Sequence, residues 1–247
     1  MSITCESDWR GLREVGRVVR LTLDALERHT VPGITTGELD RIARDVFEAH
    51  GARSAPALTY GFPKTVLISV NDEIVHGIPG PRALRAGDIV KLDVTAEKDG
   101  YVADAARTVV LDGAHEMTRR LAACAQAAFE AALTVARAGN RVNLIGNAVD
   151  ATVTRCGFSV VRSLEGHGVG RTIHEPPNVP NYCNRRQQDV LTDGLVITIE
   201  PLIAAGGSKV YLDDDGWTIR TSDGSMAAHH EHTLVITGGQ PILLTAA

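Results

Sequence analysis

The chain has 247 residues, and its 25 Lys and Arg against 30 Asp and Glu give a formal net charge of −5. That balance lacks the basic face a phosphate-tracking protein needs. Four Phe, four Tyr and two Trp are too few for a base-stacking platform, so no nucleic acid is expected as substrate. At 44% hydrophobic and 22% charged residues, the composition is that of a globular domain with an adequate core.

Cys5, Cys124, Cys156 and Cys183 stand apart with no C-x-x-C pair, which argues against a zinc ribbon or a disulfide framework. The first residues, MSITCESDWRGLREVGR, are polar where a signal peptide carries an apolar core. The apolar stretch from Leu121 to Ala138 is interrupted by Gln126, Glu130 and Arg137, which suits a core helix and not a membrane span. A cytoplasmic protein away from membranes is the expectation.

In chain order, Leu12, Val15, Val18, Val19, Leu23 and Leu26 recur at helical spacing between Trp9 and Arg28. Val31-Pro32-Gly33 ends that helix. Thr35 and Glu38 form a capping-box signature for a second helix that Gly51 terminates. Extended segments follow at Thr65 to Val70 and Ile89 to Thr95. A turn at Lys98-Asp99-Gly100 leads to a returning strand over Thr108 to Leu111. The pattern then restarts, with a long helix over Met117 to Ala138 and a shorter one around Leu144, Ile145, Ala148, Val149 and Val153 that ends at Gly157.

The restart is measurable. Gly33 and Gly51 recur as Gly139 and Gly157 at an offset of 106. The run Leu84-x-x-Gly87-x-Ile89-Val90-x-Leu92-Asp93 recurs as Leu191-x-x-Gly194-x-Val196-Ile197-x-Ile199-Glu200 at an offset of 107. This reads as an internal duplication. Two α-α-β-hairpin halves, about residues 9–112 and 117–240, would pack about a pseudo-two-fold axis into one α/β domain over residues 1–247 with a central antiparallel sheet.

Each duplicated strand ends on a carboxylate, Asp93 or Glu200, after an apolar run. A buried carboxylate is costly unless paired or metal-bound. Asp104 returns roughly opposite Asp93, and Glu231 opens the strand Thr233 to Ile236 in a similar relation to Glu200. Two such charges about 4 Å apart repel by roughly 4 kcal/mol at an effective dielectric near 20. Two divalent cations would balance the four. The segment GHGVGRTIHEPP, Gly166 to Pro177, offers a histidine as fifth ligand. Mostly oxygen donors with one imidazole suit manganese, iron, cobalt or zinc, and a two-metal cluster that activates water is a common hydrolytic device.

Six segments closely resemble the type I methionine aminopeptidases: NDEIVHGIP (Asn71 to Pro79), KLDV (Lys91 to Val94), ADAART (Ala103 to Thr108), GHGVGRTIHEPP, Ile199-Glu200-Pro201 and Glu231-His232-Thr233. The likeness runs in order from about Trp9 to Thr237. It implies the pita-bread fold, a catalytic domain without the N-terminal zinc-binding extension of longer members, and two divalent ions (Co, Mn, Fe, Zn or Ni). Asp93, Asp104, His167, Glu200 and Glu231 match the metal ligands, with Asp104 and Glu231 bridging. Glu200 also matches the proton shuttle, and His76 and His174 match the two site histidines that contact substrate. The activity implied is removal of the initiator methionine from nascent chains whose second residue is small, by a metal-activated hydroxide, in a monomer that associates transiently with the ribosome.

Phe62 and Trp217 match apolar positions of the methionine pocket. Thr59 stands where the family usually has an aromatic residue, and Leu67 where many bacterial members carry cysteine. Val102-Ala103 replaces His-Gly before Asp104, and His229 takes a position often held by glutamine. Two alternatives follow. One is a proline-directed peptidase on the same fold; the other is a diverged binding protein that has lost activity.

Overall fold

The computed structural model describes residues 1–246. Helix α1 (Glu6–His29) forms over the first periodic stretch, with Leu12, Val15, Val19, Leu23 and Leu26 fully buried on one face. The capping box starts α2 (Thr36–His50): the Glu38 amide donates to Thr35 Oγ1, and the Thr35 amide donates to the Glu38 carboxylate. A short α3 (Ala55–Tyr60) follows. Next come strands β1 (Leu67–Val70), β2 (Glu73–Val75), β3 (Ile89–Lys98) and β4 (Tyr101–Val110).

Strand β4 is much longer than the Thr108 to Leu111 expected. Its first half, with Ala103, Asp104, Ala105 and Ala106, has weak intrinsic strand preference. It is held because ladders run along both of its edges. Helix α4 (Glu116–Leu133) stops short of the expected Ala138. The Asn140 side chain takes the Val135 carbonyl at 2.8 Å, and Ala136 stays fully buried. The apolar spacing therefore outlasts the helix. Helix α5 (Asn143–Cys156) ends at Gly157 with φ 82°.

The remaining strands used below are β5 (Glu165–Gly168), β6 (Glu175–Pro180), β7 (Val196–Ile199), β8 (Leu202–Ala204), β9 (Ala227–His229) and β10 (Glu231–Val235). A nine-stranded sheet runs Arg53–Ser54, β3, β4, β10, β7, β5, β6, with β1 also on β3 and Ile242–Leu243 also on β10. Its pairs are antiparallel. Helices α1 and α2 share one apolar cluster with β3 and β4. Helices α4 and α5 share a second with β7 and β10. Each fully buried leucine in these clusters contributes roughly 1.5–3 kcal/mol. The result is the mixed α/β architecture with paired helices that the duplication predicts, and it leaves the sheet centre to hold polar residues.

The register sharpens one expectation. Asp93 faces Ala106 across the β3–β4 hairpin, and Asp104 faces Thr95. The two acids are diagonal neighbours on one face of the sheet, because the chain reverses through Asp99 and Gly100 alone, pairing Lys98 with Tyr101. Glu231 does lie across from Glu200: the His232–Ile199 pair, continued by one residue, brings them together.

Candidate metal centre

Strands β3, β4, β5 and β10, with the residue after β7, deliver five side chains to one point. Asp93, Asp104, His167, Glu200 and Glu231 all line the same cavity of about 170 Å³. Asp104, His167 and Glu231 each offer a ligand atom within 4.8 Å of one another, as do Glu200, His229 and Glu231. His167 Nε2 stands 3.7 Å from Glu200 Oε1.

Local sequence explains the placement. Gly166 and Gly168 flank His167, and a Cβ on either would meet backbone at 2.7 Å (the Thr198 carbonyl) or 2.3 Å (the Pro176 carbonyl). Only glycine lets β5 approach its neighbours that closely. The His167 Nδ1–H donates to the Gly168 carbonyl at 2.9 Å, which leaves the Nε2 lone pair facing the acids. Thr233 exchanges two 2.8 Å hydrogen bonds with the Asp104 backbone, tying β10 to β4. Thr95 Oγ1 donates to Asp104 Oδ1 at 2.9 Å.

The electrostatics demand a cation. Among the described residues, no Lys or Arg pairs with any of the four carboxylates, and Asp93 Oδ1 and Glu231 Oε1 are buried with no hydrogen-bond partner. Burial, then the Asp104 charge, pushes the carboxyls of Asp93 and Glu231 well above the ordinary range. Burial likewise raises Glu200, with Asp104 and Asp93 adding to it. Burial lifts Asp104 to about 7, against the Thr95 hydrogen bond. Orphaned buried oxygens beside an imidazole lone pair are a donor set for divalent cations.

A stability consequence follows. Above pH 7 the buried histidines are neutral whether folded or unfolded. In the folded cation-free protein Asp104 gives up its proton only near pH 7, and burial shifts Asp93, Glu200 and Glu231 in the same direction, whereas the unfolded chain has released all four well below that pH. Folded protein then binds more protons, so stability falls as pH rises, by up to about 1.4 kcal/mol per pH unit for each net proton. Lys91, pushed down to about 7 by burial, opposes this with a single group. Relative to protein saturated with Mn²⁺, in which the same Lys91 is present, the thermal midpoint in chelator is therefore expected to fall as pH rises through 7. Equal pH dependence with and without the ion would contradict it.

The rest of the cavity is part apolar. Phe62 is 3% exposed and meets the Trp217 ring edge-on at 5.2 Å between centroids, and Leu67 lies beside them. Thr59 is a correction: it is exposed and does not line the cavity, to which α3 contributes Pro56 and Tyr60. Ala103 points to the opposite face of β4 from Asp104, and Val102 is buried in the same apolar cluster as α1 without lining the cavity. His76 enters the cavity from a left-handed backbone, φ 61°, a strained choice for a residue with a side chain. Burial and the neighbouring His174 lower its imidazole to about 4. His174 packs edge-on against His167 at 4.3 Å, and its Nδ1 lies 2.5 Å from the Tyr60 hydroxyl.

Sequence reasoning missed Tyr60 and Thr95 and gave His229 no role in the site. His229 carried a visible signal: with His230 it ends the apolar Met226-Ala227-Ala228 run just before Glu231.

Residues 10–238 match the family model for metallopeptidase family M24. A Bacillus subtilis protein named methionine aminopeptidase 2 is 42% identical over 247 residues, covering 99% of both chains. An Escherichia coli methionine aminopeptidase is 40% identical, covering 99% of this chain and 94% of its own. Among solved structures, a Thermotoga maritima methionine aminopeptidase superposes over 100% of both chains with a TM-score of 0.96 at 33% identity.

Proposed function

The chain belongs to metallopeptidase family M24, and from that premise we infer that it removes the N-terminal methionine of peptides and nascent proteins whose second residue is small. The observation that carries this reading is the set of four carboxylates, three buried and Asp93 half-buried, without a basic partner at the floor of a half-apolar cavity. Full-length relatives with the methionine aminopeptidase name support it.

In this reading Asp93, Asp104, His167, Glu200 and Glu231 would hold two divalent cations. Divalent cations bound there supply Lewis acidity, lowering the pKa of water toward about 7 and polarising the scissile carbonyl. Phe62, Leu67 and Trp217 give the methionine thioether an apolar wall, and the acidic floor receives the free α-amino group. Glu200, kept basic by burial, accepts a proton from water and returns it to the leaving amine. His76 and His174 are neutral at pH 7, since burial lowers both. With the Tyr60 hydroxyl as donor to His174 Nδ1 in their 2.5 Å contact, Nε2 would keep its proton and donate to the oxyanion of the tetrahedral intermediate. The same reading places the protein in the cytoplasm as a monomer that meets nascent chains at the ribosome. No helix among the described residues is long and apolar enough to cross a membrane.

The test compares Met-Ala-Ser with an Ala-Pro peptide in buffer supplemented with Mn²⁺ or Co²⁺. Methionine release is expected to be faster by at least about 10²-fold, a difference of roughly 2.7 kcal/mol in transition-state binding. Faster release of alanine from the proline peptide would replace this reading with a proline-directed one.

A further inference from the structure

His229 belongs to none of the roles assigned above, yet it is the most buried imidazole beside the acids, at 1% exposure. Its Nε2 stands 3.5 Å from Glu200 Oε2 and 3.5 Å from Glu231 Oε2. Neither ring nitrogen has a hydrogen-bond partner. An N–H donated to a carboxylate would sit near 2.8 Å from one oxygen, whereas this nitrogen is equally far from two. Ligands at about 2.1 Å around a tetrahedral cation lie roughly 3.4 Å apart, which matches both separations.

The main chain of His229 is held in place. Thr108 Oγ1 donates to the His229 carbonyl at 2.6 Å and accepts its amide at 3.0 Å. Thr233 clamps Asp104 in the same way. Strand β9 also pairs with β8 at His229–Leu202, so the backbone of His229 cannot shift away from the acids without breaking strand structure.

We propose that His229 is an additional nitrogen ligand of the metal centre, bonding through Nε2 to the cation that Glu200 and Glu231 share. The inference rests on the metal-centre reading above. It has a chemical consequence: a second imidazole moves the donor set away from hard oxygen and favours cobalt and zinc over manganese. Because Nδ1 has no acceptor to orient it, unlike His167 Nδ1, the bond is the weaker of the two.

Pulsed EPR of the Mn²⁺-loaded wild-type protein counts coordinated imidazole nitrogens directly, with His229→Gln and His167→Gln alongside. Two are expected in wild type and one in each variant. By calorimetry, Co²⁺ affinity is expected to fall about tenfold in His229→Gln, with a smaller fall for Mn²⁺. A single nitrogen in wild type, with an unchanged spectrum in His229→Gln, would overturn the assignment and leave the metal-centre reading intact. Failure of the wild-type protein to bind Mn²⁺ at all would overturn both. The wild-type count needs no variant, so a misfolded substitution does not block the test.

Discussion

Asparagine at position 104 is expected to lower methionine release from Met-Ala-Ser on the order of 10³-fold, with the far-UV circular dichroism unchanged. Asp104 sits within ligand reach of both His167 and Glu231, so its charge is the one most shared within the site. An amide removes that charge and turns one donor oxygen into an N–H that repels a cation. A loss of about 4 kcal/mol in transition-state stabilisation corresponds to that factor. The fold should survive, because the Thr95 hydroxyl can still donate to the remaining oxygen and Thr233 binds only the backbone of residue 104. Removing one of four mutually repelling charges should leave the cation-free protein at least as stable as wild type. Undiminished cleavage by Asp104→Asn would count directly against metal-assisted hydrolysis.

Glutamine at position 200 is expected to separate chemistry from binding. Glu200 occupies the turn after β7, with its carbonyl accepting the Asn181 side-chain amide at 2.8 Å, so the backbone there does not depend on the carboxylate. Glutamine keeps one ligand oxygen but cannot take a proton. Turnover should fall by about 10²–10⁴-fold, the range for a lost general acid–base, while KM for Met-Ala-Ser changes only a few-fold. The expected split is between kcat and KM, measured with Mn²⁺ in excess so that weakened metal affinity does not contribute. Equal losses in both, or none in kcat, would assign the proton transfer to another group.

Much of this was legible before any coordinates. The glycines at 33, 51, 139 and 157 and the repeated strand entry at Asp93 and Glu200 carry the helix pairs and the central sheet. A helix C-cap and a buried strand each leave a local signature. Register does not. The sequence places Asp104 only roughly opposite Asp93, and the diagonal relation depends on the turn, since one residue of turn length shifts the whole ladder. Neighbour choice on a short helix is also illegible: Thr59 and Tyr60 are adjacent in sequence, and only the direction of α3 sends Tyr60 into the cavity. The extent of β4 was hidden because alanines and an aspartate are held extended by ladders on both sides. His229 escaped because its partners come from Glu200 and Glu231, which only the β7–β10 pairing brings together.

The centre itself is tested most directly by stripping the protein with chelator and restoring Mn²⁺, Fe²⁺, Co²⁺ or Zn²⁺ in turn, with elemental analysis at each step. Hydrolysis of Met-Ala-Ser and Met-Gly-Met-Met should vanish in the stripped protein and return on addition, saturating at about two ions per chain. Full activity in protein shown by elemental analysis to hold no metal would contradict the account.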